Sequence, residues 1–155
     1  MIVKELKSGE LKSVKIVPVL DSDYKNITKS KFWFNWKEEK NYSVFKIHLV
    51  ENDAILGLVS IDNIQEESRI EIRLLAVSTE NRGKNKKYDF IVGNLLTYAC
   101  RIALRLYGEL ACVSLVPKTE IIEHYKIKYG MFQAGISLCL DGVELIELIK
   151  KYSYE

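Results

Sequence analysis

A strand pattern, a cationic loop and a long helix pattern follow one another in the middle of this sequence. Residues 69–77 alternate apolar and polar side chains, which is typical of a strand. Residues 90–106 carry apolar side chains at helical spacing over roughly four turns. The connecting residues 81–87 hold four cations and no anion. A helix N-terminus behind such a loop favours a phosphate, because it offers free N–H groups and a positive dipole end. A solvated surface loop is the alternative interpretation.

The charge balance indicates a local anion site and not an extended nucleic-acid-binding surface. The chain has 23 Lys and Arg against 21 Asp and Glu, which gives 23 − 21 = +2. Without the four loop cations the net charge becomes 2 − 4 = −2. The sequence contains neither the G-x-x-x-x-G-K-[ST] pattern of P-loops nor the G-x-G-x-x-G pattern of dinucleotide-binding turns. We therefore expect no nucleic-acid partner.

Length and composition indicate one globular domain over residues 1–155. The chain is 48% hydrophobic and 28% charged, which is ordinary for a globular protein. No apolar run approaches the roughly 20 residues of a membrane helix, and residues 1–11 lack the apolar core of a signal peptide. Three cysteines without C-x-x-C spacing and two histidines provide no metal-binding pattern. We expect a cytoplasmic protein with no metal site and no membrane partner.

Strand patterns fill the first half of the chain, and helix and strand patterns alternate in the second. Predicted strands cover residues 14–20, 42–50, 54–61, 69–77, 110–116 and 135–140. Predicted helices cover residues 90–106, 118–129 and 142–152. Residues 31–36 are dense in aromatics and fit a strand or a wall under a loop. These elements predict an α/β or α+β sheet protein.

Two segments resemble a known enzyme family. Residues 75–84 (LAVSTENRGK) resemble the LAVSPEYRGKG stretch of the GNAT superfamily of acyl-CoA-dependent N-acyltransferases. Residues 116–135 (VPKTEIIEHYKIKYGMFQAG) resemble the later stretch in which a family helix carries FYEKLGF. The loop and the GNLL helix start also resemble a small bacterial subgroup with an RGKxKKY loop. The resemblance implies a mixed, mostly antiparallel sheet flanked by helices, and it covers about half of the chain.

The loop departs from the family pattern Q/R-x-x-G-x-G/A. If Arg82 is the first position, the two glycine positions hold Asn85 and Lys87. Lys does not readily adopt a left-handed backbone. Counting back from the helix, where Leu95-Leu96 matches a family Leu pair, places Phe90 and Val92 at those positions instead. The two registers differ by five residues, so we predict a loop about five residues longer than usual, over residues 80–89.

The resemblance implies that the cosubstrate is acetyl-CoA. By position, the backbone of the strand end pairs with the pantetheine arm, and this segment comprises Leu75, Ala76 and Val77. Positions matching the family's pyrophosphate contacts are Arg82, Gly83, Lys84, Asn85, Lys86, Lys87, Tyr88, Gly93 and Asn94. Lys118 and Thr119 open the helix that follows, where the family often has an Asn that touches CoA.

Two further residues match the catalytic positions of the family. Glu71 lies six residues before Val77, which matches the general-base Glu of the histone-acetylating branch. Alternatively, it is a solvated strand residue paired with a neighbouring arginine. Tyr125 matches the tyrosine that protonates the departing CoA sulfur, and its alternative is a core aromatic. Tyr129 is the reserve candidate for that proton donor.

The leading hypothesis is an acetyl-CoA-dependent N-acetyltransferase acting on a small-molecule or peptide amine. A catalytically silent CoA-binding or regulatory module on the same fold is the alternative, because the loop glycines are missing. A third hypothesis is an interaction domain whose cationic loop binds an acidic partner. The oligomeric state stays open, with a homodimer as one expectation, and the aromatic residues 32–36 line either the core or an acceptor wall.

Overall fold

The computed structural model describes residues 1–153, which divide into two compact units. The first unit comprises residues 1–60 and 74–95, and the second comprises residues 61–73 and 96–153. Within residues 1–153 no helix is both long enough and apolar enough to cross a membrane.

Six strands contribute to the first unit. They are β1 (Ile2–Glu5), β2 (Leu11–Pro18), β3 (Ser43–Leu49), β4 (Ile55–Ile64), β5 (Arg69–Val77) and β6 (Tyr88–Asp89). Their hydrogen-bonded order is β6-β1-β2-β3-β4-β5. β1 pairs antiparallel with both β2 and β6, and β2 pairs antiparallel with β3 in a register that joins Val14 to Leu49. Strands β4 and β5 also supply residues to the second unit.

The aromatic segment is helical, so the strand interpretation of residues 31–36 is wrong. A short helix α1 (Lys29–Phe32) begins after Thr28, whose hydroxyl accepts a hydrogen bond from the Lys31 amide, and a 3-10 turn follows at Trp36–Glu39. The Trp36 indole donates to the Phe32 carbonyl at 3.0 Å. These two rings lie in the core, whereas Trp33 and Phe34 are exposed. The segment therefore forms partly core and partly surface.

A glycine in β4 lets the long helix α2 (Ile91–Tyr107) approach the sheet closely. A Cβ placed on Gly57 would lie 3.0 Å from Ile91 Cγ2, 3.1 Å from the Ala76 carbonyl oxygen and 3.2 Å from Leu95 Cδ1. All three distances are tighter than ordinary van der Waals contact, so a side chain at residue 57 would push against the first turns of α2 and the backbone of β5. The prediction of a helix over residues 90–106 is confirmed.

The second unit contains the strand order β4-β5-β7-β9-β8. Its further elements are β7 (Cys112–Leu115), α3 (Ile122–Tyr129), β8 (Phe132–Ala134), β9 (Ser137–Asp141) and α4 (Gly142–Lys151). β5 and β7 pair in parallel from Arg69 opposite Cys112 to Ile72 opposite Leu115, and β7-β9 and β8-β9 pair antiparallel. The fold is the predicted α+β class, with a mixed and mostly antiparallel sheet.

Three short strands were not predicted from the sequence. β1 buries only Val3 fully, β6 has two residues, and the side chains of β8 are all exposed. A strand held mainly by backbone hydrogen bonds leaves little alternation of apolar and polar residues in the sequence. The helix predicted over residues 118–129 divides into a 3-10 turn at Thr119–Ile121 and α3.

We predict that Gly57→Ala lowers the free energy of unfolding by about 1–3 kcal/mol, because the added methyl group overpacks the contact between β4 and the first turns of α2. Urea unfolding measures the change. The double variant Gly57→Ala/Ile91→Ala should lose less stability than the sum of the two single variants, because removal of the Ile91 side chain makes room for the methyl group. Strict additivity would contradict this account of the packing.

Candidate active site

The end of β5 has one open backbone edge. The Ser78 amide donates to the Leu56 carbonyl of β4 at 2.9 Å. Because the C=O and N–H of a trans peptide point in opposite directions, the Val77 carbonyl points away from β4. The parallel pairing of β5 with β7 ends at Ile72. Among the described residues, the edge at residues 75–77, which the family resemblance relates to the pantetheine arm, can therefore accept an added strand.

The loop between β5 and α2 is tied at its base by Asn81. The buried Asn81 amide group donates to the Ser78 hydroxyl at 2.8 Å, and its oxygen accepts the Tyr88 backbone N–H at 2.9 Å. The Lys87 amide donates to the Glu80 carbonyl at 3.0 Å, and the Lys87 carbonyl accepts the Leu6 amide at 2.9 Å. These bonds close the loop and present residues 82–86 as a separate tip.

The four cations of the loop have different environments. Lys84 and Lys87 are exposed and form no ion pair with another described residue, whereas Lys86 pairs with Asp89 at 3.0 Å. Arg82 folds back, donates from Nη2 to the Val77 carbonyl at 2.6 Å, and lies 4.3 Å from the centre of the Trp33 ring. Two of the four predicted cations are therefore free to meet a solution anion.

At the start of α2, one of the two positions given by the register counted from the helix has a left-handed backbone, since Val92 is helical. Phe90 has a φ of 78°, which places it in the left-handed region, while Asn85 and Lys87 have no positive φ. Left-handed backbone at a non-glycine residue is uncommon and costs free energy. The Asp89 carboxylate accepts the Phe90 N–H at 2.9 Å, so an acidic group already lies at this helix N-terminus.

Three of the predicted cofactor-binding residues lie inside the protein. Asn94 is fully buried, and its amide group donates to the carbonyls of Ile2 and Phe90, both at 2.8 Å. Tyr88 and Gly93 are buried beside it in the sequence of the first turn. The Asn94 side chain thus joins the first turn of α2 to β1. Asn94, Tyr88 and Gly93 do not face solvent, whereas Gly83, Lys84 and Asn85 are exposed.

The second unit holds Glu71 in a network of polar side chains on β5 and β7. Arg69 donates from Nη1 to the Glu71 carboxylate at 3.1 Å and to the Ser114 hydroxyl at 2.6 Å, and it also pairs with Glu67. Glu71 is therefore a half-buried carboxylate in an ion pair with Arg69. This pairing is the alternative that the sequence left open, and it also orients the carboxylate.

Tyr125 lies half-buried on α3. Its ring is 5.4 Å from that of the buried Tyr129 and 6.1 Å from that of His124. The hydroxyl forms no hydrogen bond with another described residue, and burial raises the pKa of this phenol above its usual value of 10. Tyr125 is thus held in the protonated form that a general acid needs. Lys118 and Thr119, at the entry to this helix, are exposed.

The cysteines provide no nucleophile at neutral pH. All three are free thiols, and burial raises the pKa of Cys100 to about 12 and that of Cys112 to about 11. Burial also raises the pKa of Cys139. The reactive thiolate is scarce under these conditions. Within the described part of the chain, no group of three or more His, Cys, Asp or Glu side chains could hold a metal ion.

Sequence comparison relates the chain to two clostridial proteins, although no protein-family model matches it. The ribosome maturation factor RimM of a Clostridium botulinum type A strain is 30% identical over 138 residues, which are 89% of this chain and 80% of the relative. A second type A strain has a protein of the same name with the same identity and coverage. The chain belongs to the family of these clostridial proteins.

Structural comparison places this family member on the GNAT fold. Spermidine/spermine N-acetyltransferase SpeG of Vibrio cholerae has a TM-score of 0.63 over 90% of this chain and 98% of its own, at 11% identity. Nourseothricin acetyltransferase has a TM-score of 0.59 over 82% of this chain and 97% of its own, also at 11% identity. The resemblance noted in the sequence is confirmed at the level of the fold.

Sequence reasoning missed three residues that shape this site. Gly57 sets the position of α2, Asp89 occupies its N-terminus, and Trp33 stacks on Arg82. An isolated glycine in a strand pattern and an aspartate just before a helix pattern are recognisable signals. The Trp33–Arg82 contact joins residues far apart in the chain and left no local pattern.

The phenol of Tyr125 should titrate above pH 10. Because burial disfavours the charged form, its pKa is higher in the folded than in the unfolded protein. Tyr125 therefore contributes stability that is fully present below pH 10 and is lost as the pH rises towards the folded pKa. The difference in tyrosinate absorbance between the wild type and Tyr125→Phe measures this titration. A midpoint at or below 10 would contradict the described burial.

Proposed function

We propose that the protein is an acetyl-CoA-dependent N-acetyltransferase. The observation that carries the proposal is the fold match to two N-acetyltransferases over most of the chain. Fold alone does not define an activity, so the proposal also depends on the residues of this chain. Those residues supply an open backbone edge, a cationic loop, a carboxylate and a protonated phenol.

The first unit provides features that suit a thioester cosubstrate. The open edge at residues 75–77 offers backbone groups to the amides of a pantetheine arm. Lys84 and Lys87 offer free charges to phosphates, and this attraction weakens as salt is added. When bound, acetyl-CoA supplies the activated acyl group.

The second unit provides an acid and a base for acyl transfer. The amine must lose a proton before or during its attack on the thioester, and the Glu71 carboxylate is the group proposed to accept it, directly or through water. The departing thiolate must gain a proton, and the Tyr125 hydroxyl is proposed to donate it. An alkyl thiol has a pKa near 8.5, and burial raises the pKa of the Tyr125 phenol above its usual value near 10, so the phenol is protonated at neutral pH but its proton transfer to the thiolate is uphill.

The acceptor belongs to the class of amines. SpeG is named for spermidine and spermine, and the second neighbour is named for nourseothricin. The clostridial relatives are named as ribosome maturation factors. We therefore propose to test spermidine and spermine, nourseothricin and the amino groups of ribosomes as acceptors.

A catalytically silent CoA-binding or regulatory module is the second candidate. It is favoured by the absence of glycines at loop positions 85 and 87 and by the Asp89 carboxylate at the start of α2. A negatively charged carboxylate at a helix N-terminus repels a bound phosphate. The name of the clostridial relatives also describes no acetyl transfer. Binding without turnover distinguishes this candidate from the enzyme.

The experiment that tests the enzyme is release of free CoA thiol from acetyl-CoA in the presence of each acceptor class. With an acceptor in place, Tyr125→Phe should lower turnover by about 10²-fold or more, because it removes the acid and keeps the ring. Glu71→Gln should lower turnover at neutral pH, and this loss should shrink as rising pH deprotonates more of the amine. Glu66→Gln removes an exposed acid next to β5 and serves as the control.

Two outcomes would contradict the proposal. If acetyl-CoA at high concentration gives no thermal stabilisation, the protein does not bind it, since saturation at 100 times Kd is worth about 2.7 kcal/mol. If acetyl-CoA stabilises the protein but no acceptor class gives thiol release, the silent module is supported instead.

We predict that Asp89→Asn strengthens CoA binding by about two- to fivefold, because it removes an acidic group at the start of α2. Asparagine still accepts the Phe90 N–H, so the helix start is preserved. Calorimetric titration with CoA at low salt measures the gain. Glu66→Gln makes the same change in net charge away from the loop and should leave the affinity unchanged. Equal gains in the two variants would show a general charge effect only.

A further inference from the structure

Three features of Arg82 single out its position in the first unit. Its Nη2 donates to the Val77 carbonyl at 2.6 Å. Its guanidinium lies 4.3 Å from the centre of the Trp33 ring, which is a cation–π contact. Its Nη1 is buried and has no hydrogen-bond partner among the described residues. The arginine thus occupies a backbone acceptor that β4 and β7 both leave open.

We propose that Arg82 and Trp33 form a gate over the open edge of β5, and that a pantetheine arm pairs with Val77 only after Arg82 leaves the Val77 carbonyl. This inference depends on the proposed CoA-binding function. We call the contact between Arg82, Trp33 and the Val77 carbonyl the Arg82–Trp33 gate. In the closed state a side chain of the protein takes the hydrogen bond that an amide of the arm would otherwise donate.

On the Trp33 side of the gate, core contacts hold the backbone in place. Trp33 ends the short helix α1, and its neighbour Phe32 is fully buried in the core. The core ring of Trp36 bonds to the Phe32 carbonyl, which fixes the backbone on which Trp33 stands. The Trp33 ring itself is exposed over 58% of its surface. Its outer face is therefore available to solvent while its inner face holds Arg82.

On the Arg82 side of the gate, the closed position costs free energy, and this cost favours opening. A buried donor without a partner loses its hydration and gains nothing in return, so Nη1 opposes the closed state. Burial also lowers the pKa of Arg82, which indicates the same loss of hydration. Trp33 has a φ of 72°, an uncommon conformation for a bulky residue. The two costs at Arg82 fall when its side chain swings out to water or to an anion, whereas the Trp33 backbone belongs to the end of α1 and stays in place.

Opening the gate links two parts of one ligand. When Arg82 leaves, the Val77 carbonyl becomes free for an N–H of the arm, and the guanidinium becomes free for a charge-assisted bond to a phosphate. A ligand that carries both parts provides a new partner for each group. A ligand that carries only the arm must displace Arg82 without offering it an anion. The gate therefore favours intact CoA over fragments that lack phosphates.

The test compares binding of pantetheine, which has the arm alone, with binding of CoA. Arg82→Ala should bind pantetheine about fivefold or more tightly than the wild type, because the Val77 carbonyl is then open. Trp33→Ala should give a smaller gain, because it removes one of the two contacts that hold Arg82 closed. The preference for CoA over pantetheine should fall in both variants. Lys84→Ala removes an exposed cation of the same loop without touching Val77, and its affinity for pantetheine should equal that of the wild type.

Tryptophan fluorescence provides a second measurement that needs no substitution at Arg82. The chain has two tryptophans, Trp33 and Trp36, and only Trp33 is exposed. CoA should change the emission of the wild type, because Arg82 leaves the Trp33 ring. The same addition should leave the emission of Trp33→Phe unchanged, which assigns the signal to Trp33.

The outcomes separate the gate from the proposed function. If CoA binds the wild type while pantetheine affinity is equal in all variants and Trp33 emission is unchanged, the gate is wrong and the CoA-binding function stands. If CoA binds Arg82→Ala but not the wild type, the gate is supported as a closed state. If CoA binds neither the wild type nor any gate variant, the gate and the proposed function are both overturned.

Discussion

The close packing of α2 on Gly57 determines the geometry of the first unit. A Cβ placed on Gly57 would lie within 3.2 Å of side-chain atoms of Ile91 and Leu95 in the helix and of the Ala76 carbonyl oxygen in β5. This contact fixes the helix start relative to the end of β5. The segment between them, residues 78–90, has to fold outside this contact. The Asn81 bonds and the pairing of β6 with β1 are the means by which it does so.

The charges of that segment are largely used by the protein itself. Arg82 lies on Val77 and Trp33, and Lys86 is paired with Asp89. Lys84 and Lys87 are exposed without an ion pair to another described residue, and Lys87 Nζ lies 5.5 Å from the centre of the Tyr88 ring. The positive charge that the loop offers to a ligand is therefore smaller than the four cations in its sequence indicate. Exposed charges of this kind attract anions only weakly in salt. Phosphate binding at this loop would therefore also need Arg82 and Lys86, which already have partners within the protein.

In the second unit, the two catalytic candidates, Glu71 and Tyr125, have different surroundings. Glu71 shares the Arg69 guanidinium with Glu67 and Ser114, so its carboxylate is oriented and ion-paired. Tyr125 has a hydroxyl without a partner among the described residues, and its environment raises its pKa. The first arrangement suits a structural ion pair as well as a base, whereas the second suits a group kept protonated.

The sequence determined the fold class, the bounds of β5 and α2 and the position of a cationic loop between them. These features follow from local periodicity and charge, which are properties of neighbouring residues. It also predicted an unusual loop register with Phe90 and Val92 at the glycine positions, and of these two only Phe90 adopts a left-handed backbone. The tertiary structure alone decided that Arg82 turns back onto Val77 and Trp33, that Asn94 and Tyr88 are buried, and that Glu71 pairs with Arg69. Those outcomes depend on contacts between residues distant in the chain or on rotamer choices at crowded positions, and neither leaves a periodic signal in the sequence.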